Sequence, residues 1–135
     1  MSRKQSREVA FKLLFALAFD ASLETEFELA SDEKAYDREK EYIDKVCDVV
    51  KTNLAEIDGI IGNTAKGFSF DRIFKVDLTA LRLAVGEIMY MDETPDVVAV
   101  NEAVNLVKKY GTENSAGYVN GILASVLENK NSPLR

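Results

Sequence analysis

Val97-Val98-Ala99-Val100-Asn101-Glu102-Ala103-Val104-Asn105-Leu106-Val107-Lys108-Lys109-Tyr110 is the stretch on which the fold class turns. Its first four residues, three of them valine, fit a short buried strand when taken alone. Over the whole stretch Ala99, Ala103, Leu106, Val107 and Tyr110 keep a 3.6-residue period, and Gly111 stands where a helix C-terminus favours glycine, so the spacing predicts a helix. With that strand removed the chain reads as helical nearly throughout.

The neighbouring segments agree. Asp77–Met91 repeats Leu78, Leu81, Val85, Ile88 and Met89 at helical spacing, with Asp77 as its N-cap, and Pro95 breaks the chain before the next helix. A last helix is predicted from Ser115 to Glu128 on Val119, Ile122, Leu123, Val126 and Leu127, ahead of a polar, flexible tail over 129–135. Toward the other end, Ser2-Arg3-Lys4-Gln5 has the form of a capping box and opens a helix to about Asp20 on Val9, Ala10, Leu13, Leu14 and Leu17. Phe11, Phe15 and Phe19 add a second stripe, which either enters the core or meets a partner. Residues 20–36 read as an acidic loop or short helix, and 37–52 as a helix. Asn53-Leu54-Ala55-Glu56 resembles another capping box, and Gly59, Gly62 and Gly67 mark where its helix gives way to a loop. The expected architecture is all-α: a compact bundle of six or seven helices in a single domain over residues 1–128.

Composition excludes more function than it suggests. Among 135 residues there is no His, which removes histidine acid–base relays and His metal ligands, and one Cys, which can form neither an internal disulfide nor a cysteine zinc site. Cys47 lies in a half-apolar helix and is expected to be a buried structural thiol, suited to a reducing cytoplasm. No apolar run is long enough for a membrane span, and no signal peptide is recognisable. No phosphate loop, cofactor fingerprint or nucleophile–base pair is present, so neither enzyme activity nor a cofactor or metal is expected. Arg82, Glu87, Asn101 and Glu102 interrupt apolar helices and are expected to pair at helix contacts.

The net charge of −6 is unevenly spread. Residues 1–19 carry four cations against one acid, whereas 20–44 carry ten acids against three cations. Arg3, Lys4 and Arg7 share one face at a helix N-terminus, where the macrodipole disfavours cations. Such a cluster is either a solvated face or a phosphate site. Tyr118 follows Asn114, Ser115 and Gly117, and is either a core-edge tyrosine with its hydroxyl in water or a platform for an unpaired base. Gly117 and Gly121 inside a helix suggest close approach by another helix or a ligand.

In order and spacing, four motifs resemble the transcription antitermination NusB family: Ser2–Glu8 leading to Leu14-Phe15, Val76–Ala84 followed by Glu87, Pro95 ahead of Val98–Val104, and Tyr118–Leu123. The resemblance spans nearly the whole chain. It implies two small helical subdomains and a non-enzymatic role in the cytoplasm: binding single-stranded boxA RNA of ribosomal RNA leaders together with the ribosomal protein NusE, then joining RNA polymerase and other Nus factors. It further implies RNA contacts at Arg3, Lys4, Arg7, Asn114, Ser115 and Tyr118, and NusE contacts at Phe15 and Asp77. Gln5 and Ser6 leave the basic cluster thin, so modest RNA affinity that rises with NusE is expected. The competing classes are a helical protein-interaction module or homodimer without specific RNA binding, and the detached RNA-binding part of an RNA-modifying enzyme.

Overall fold

The computed structural model describes residues 2–19, 33–65 and 69–131, with the side chains of 33–38 excepted. Six α-helices follow one another there: α1 (Arg3–Phe15), α2 (Glu33–Thr52), α3 (Leu54–Thr64), α4 (Lys75–Tyr90), α5 (Asp96–Tyr110) and α6 (Ser115–Lys130). Short 3₁₀ turns at Ala16–Ala18 and Phe70–Arg72 extend α1 and lead into α4. The valine-rich stretch is helical from end to end. Its branched side chains Val100 and Val107 are buried together with Ala99, Ala103 and Leu106, so packing overrides local strand preference.

α4 is the hub. Every residue from Asp77 to Ile88 is buried, and each of the other five helices packs against it. α1 and α2 form one group beside it and α5 and α6 another, with α3 bridging to α6, and one apolar core runs through all of them. Gly86 permits a close approach of α2 to α4: a Cβ there would lie 2.9 Å from Val50 Cγ2. Leu81, at the centre of the hub and fully buried, marks the kind of position where truncation to alanine costs about 2–5 kcal/mol.

The capping box at Ser2 forms as expected, with Ser2 Oγ accepting from Gln5 N–H and Gln5 Oε1 accepting from Ser2 N–H. The other two expected caps do not form. Asn53 turns its amide back to donate to the Val49 carbonyl, and α4 begins at Lys75, two residues before Asp77, leaving Asp77 buried in the first turn. Gly59 and Gly62 lie within α3 instead of ending it. Of the acidic segment, 20–32 lies outside the described residues and α2 begins at Glu33. α6 runs to Lys130, whose ammonium donates to the Ile88 carbonyl at 2.9 Å and pairs with Asp96 at 3.2 Å.

Candidate nucleic-acid interface

The three cations at the start of α1 have three different fates. Lys4 is exposed and lines an open cleft of about 330 Å³ between α1 and α5, shared with Lys108 and Lys109. Arg3 is half tied down: its Nε donates to Glu39 Oε1 at 2.9 Å, and its guanidinium lies 4.1 Å from the centre of the Tyr42 ring. That hydrogen bond to Arg3 holds the Glu39 carboxyl below the usual carboxylate range.

Arg7 departs from the expected exposed basic face. It is 5% exposed and enters the junction of α1, α2 and α4, where Nε and Nη2 each donate to Glu87 at 2.9 Å. Tyr42 and Thr94 hydroxyls donate to the same carboxylate at 2.8 and 2.9 Å. With a further 3.3 Å bond from Arg7 Nε to Oε2, five hydrogen bonds satisfy a buried glutamate. Two charges buried this deeply persist because they are paired in a two-point contact and the carboxylate's further lone pairs are met by hydroxyls. The polar residues inside helices therefore pair at helix contacts in two cases. Glu87 does so with Arg7, and Arg82 grips Asp58 through two bonds of 2.8 Å. Asn101 is exposed and Glu102 half-buried.

Asn114, Ser115 and Tyr118 form the turn into α6, and only part of that group faces outward. Asn114 is exposed. Ser115 is 1% exposed, and its Oγ accepts from Thr112 N–H at 2.9 Å, which fixes the turn from inside. Gly111 is required at this turn, since a Cβ would fall 2.7 Å from the Val107 carbonyl oxygen and 2.6 Å from Ser115 Oγ. Tyr118 is half-buried with its hydroxyl oxygen shielded from solvent, and burial, reinforced by nearby Asp77, raises its pKa. Neither Gly117 nor Gly121 is approached by another helix; both open onto empty space.

Phe15 and Asp77, the two positions assigned to a protein partner, lie in unlike settings. Phe15 stands midway in an aromatic ladder: Tyr110 stacks on Phe11 at 5.5 Å, Phe11 on Phe15 at 6.4 Å, and Phe15 meets Phe19 edge-on at 5.1 Å. The ladder emerges from the core at Phe19, which is 64% exposed. Its inner end is anchored by Glu8, which accepts from Tyr110 and Lys109. Asp77 instead lies at the base of a cleft between the turn at Phe70–Arg72 and the turn into α6, together with Asn114 and Tyr118. Arg72 and Phe74, exposed at that cleft, carry no helical periodicity that would have drawn attention to them. Cys47 is buried, and burial pushes its thiol up to about 11. Among the described residues no three His, Cys, Asp or Glu side chains converge as metal ligands would, and no helix is long and apolar enough to cross a membrane.

The structure does not bring the predicted RNA residues into one cleft: Lys4 lines one between α1 and α5, and Asn114 and Tyr118 another at the turn into α6. Exposed amide and half-exposed aromatic groups suit an unpaired nucleic-acid strand, and an emerging aromatic ladder suits a protein. Comparison with known proteins agrees in outline. The chain is 42% identical over 128 residues to the transcription antitermination protein NusB of Agathobacter rectalis, covering 92% of this chain and 98% of that one. NusB of T. maritima has the same fold, with a TM-score of 0.79 and 33% identity over 95% of this chain and 92% of that one. A crystal structure of antitermination factors NusB and NusE in complex with double-stranded RNA matches with a TM-score of 0.75 and 28% identity, over 94% and 96% of the two chains. The NusB family model matches residues 4–128, and on that match and these identities the chain belongs to the NusB family.

Proposed function

We propose that this chain is a cytoplasmic, non-enzymatic transcription antitermination factor that binds boxA-type RNA of ribosomal RNA leader transcripts together with NusE and joins the antitermination complex on RNA polymerase. The observation that carries the reading is the near full-length match to a relative crystallised with NusE and RNA. Supporting it, exposed polar groups and an emerging aromatic ladder offer two chemically distinct kinds of surface. The first comprises Lys4 and Arg3 at the start of α1, for phosphates, and Asn114 and Tyr118 at the start of α6, for bases. The second is the aromatic ladder ending at Phe19, on which NusE would dock with Phe15 beneath it.

Within this reading Arg7 is a positioning residue: its bond to Glu87 sets the start of α1, and Arg3 and Lys4 carry the phosphate contacts. Ser115 likewise acts by holding the turn that presents Asn114 and Tyr118. The test is a gel-shift titration of a boxA-like RNA, single-stranded and duplex, with and without NusE. Binding should favour the single strand and tighten when NusE is added. Unchanged affinity of the Arg3→Ala/Lys4→Ala chain in the NusE complex would remove the α1 tip from the RNA site, and no shift with any RNA would leave a helical protein-interaction module.

A further inference from the structure

The cleft of about 330 Å³ between α1 and α5 sets three ammonium groups, those of Lys4, Lys108 and Lys109, against two carboxylates, Glu8 and Glu102. The acid on α1 is the unexpected member. Glu8 directly follows Arg7 and shares the cleft wall with Lys4, one turn before it on the same helix face. Its Oε1 accepts from Lys109 Nζ of α5 at 2.7 Å, and Lys12 Nζ of its own helix lies 3.8 Å away. A glutamate on a helix surface ordinarily swings into water. This one is held from the core side, because the Tyr110 hydroxyl donates to the same oxygen and the Tyr110 ring is stacked on buried Phe11 at 5.5 Å. The Glu8 side chain is 22% exposed and that of Lys109 is 60% exposed, so the carboxylate is the fixed partner and the ammonium the mobile one. The bonds from Lys109 and Tyr110 hold the Glu8 carboxyl below the usual carboxylate range, which keeps it charged at neutral pH.

We propose that Glu8 is a built-in competitor for RNA phosphate: it occupies Lys109 and so sets how many cations the α1–α5 cleft offers to a strand. The proposal rests on the RNA-binding function above and deepens it by naming a residue that restrains binding. To an ammonium, a carboxylate and a phosphate present the same chemistry, an anionic oxygen that accepts its N–H groups. A strand entering the cleft meets Lys4 without displacing any partner, since Lys4 makes no ion pair among the described residues. To use Lys109 as well, it must draw that ammonium away from Glu8 and lie beside a carboxylate that Tyr110 keeps in place. An exposed ion pair of this kind shifts an equilibrium by up to about fivefold. That is enough to weaken every backbone alike, and too little to exclude a strand that also makes base contacts.

The experiment is fluorescence anisotropy on the full chain with saturating NusE and a single-stranded boxA-like RNA, titrated over a range of salt concentrations. Glu8→Gln, whose amide oxygen still accepts from Tyr110, should bind about three- to fivefold tighter, with a salt slope steeper by about 0.7, the share of one single-strand phosphate contact. Lys109→Ala, a change at an exposed side chain that leaves α1 untouched, should keep the wild-type slope. Made in the Glu8→Gln chain, the same change should bring the steepened slope back to the wild-type value. Glu102→Gln removes one charge from the same cleft without freeing a lysine, and should also keep the wild-type slope. A slope made shallower by Lys109→Ala alone would show Lys109 already on a phosphate, and the proposal falls. It falls equally if Glu102→Gln matches Glu8→Gln, since net charge then suffices, or if Glu8→Gln binds as the wild type does. Each of these results leaves the RNA-binding function standing, whereas a wild-type chain that binds no RNA overturns both.

Discussion

Replacing Arg7 by alanine separates two meanings of a cation in a basic segment. The Arg7 guanidinium is 5% exposed and makes two bonds of 2.9 Å to Glu87, so its removal strands a carboxylate that keeps only the Tyr42 and Thr94 hydroxyls. Breaking one side of a buried ion pair costs about 3–5 kcal/mol. For a chain of this size that corresponds to a melting temperature lower by roughly 10–20 °C. Urea unfolding at fixed pH measures the loss as a shift in midpoint with little change in slope. The double variant Arg7→Met/Glu87→Met removes both charges, so it should be less destabilised than either single variant, with a coupling energy of about 2 kcal/mol or more. Lys4→Ala is the contrasting case: stability unchanged within about 0.5 kcal/mol, but the dependence of log affinity on log salt shallower by about 0.7, one single-strand phosphate contact. Measured on folded protein well below its transition, Arg7→Ala should leave that salt slope as it is. A loss of less than about 1 kcal/mol, joined to a salt slope reduced as in Lys4→Ala, would show Arg7 to be a surface phosphate ligand and refute the buried-pair account.

Gly111→Ala places a methyl 2.7 Å from the Val107 carbonyl oxygen, which as backbone cannot yield, and should cost about 1–3 kcal/mol by chemical denaturation while shifting the turn that presents Asn114. Cys47, with its thiol pushed up to about 11, should resist a disulfide reagent at pH 8 until urea unfolds the chain, and rapid labelling of native protein would place it at the surface. Asp77 has a folded pKa above its unfolded value of 3.8, so protonation stabilises the fold. The contribution is complete below pH 3.8 and is lost as pH rises through the folded pKa. Asp77→Asn should therefore match or exceed the wild-type melting temperature at pH 7, with the advantage disappearing below pH 3.8; a less stable variant at pH 7 would mean that the carboxylate is satisfied.

The helices were legible because each apolar stripe repeats at 3.6 residues, and Val97–Tyr110 resolved correctly once its full length was counted. The boundaries were less so. Asn53 and Asp77 carry the right side chains for N-caps, but Asn53 finds the Val49 carbonyl nearby and α4 begins two residues early, at Lys75, with Phe74 at its edge. Spacing places a residue on a helix face without saying which faces are covered. For that reason Arg3, Lys4 and Arg7 look alike in sequence, and only the packing of α2 and α4 against α1 separates exposed Lys4 from enclosed Arg7. Glu87, forty-five residues from Tyr42 and eighty from Arg7, shows the reason: the partner that decides the role of Arg7 is remote in sequence. The Arg72–Phe74 side of the cleft lies in a turn without periodicity and became visible only through its juxtaposition with the α5–α6 turn.

Removing Arg7 from the phosphate contacts also changes what must supply specificity. In the proposed function the tip is left with Lys4 and a partly occupied Arg3, on a chain whose net charge is −6. Two single-strand phosphate contacts give a salt slope of only about −1.4, so affinity gained from counterion release is small and changes little with salt. An acidic body with so few free cations gains little from backbones of arbitrary sequence. In the proposed function its discrimination comes from base edges and stacking at Asn114 and Tyr118, and from NusE docked on the Phe15–Phe19 ladder. On this account, strengthening the tip with Gln5→Arg should steepen the salt slope by about 0.7 and raise affinity for all RNA alike. The ratio between cytidine and uridine oligomers should stay fixed. A ratio that rose with the added charge would mean that sequence is read at the α1 tip, and the division of labour between tip and α6 turn would be wrong.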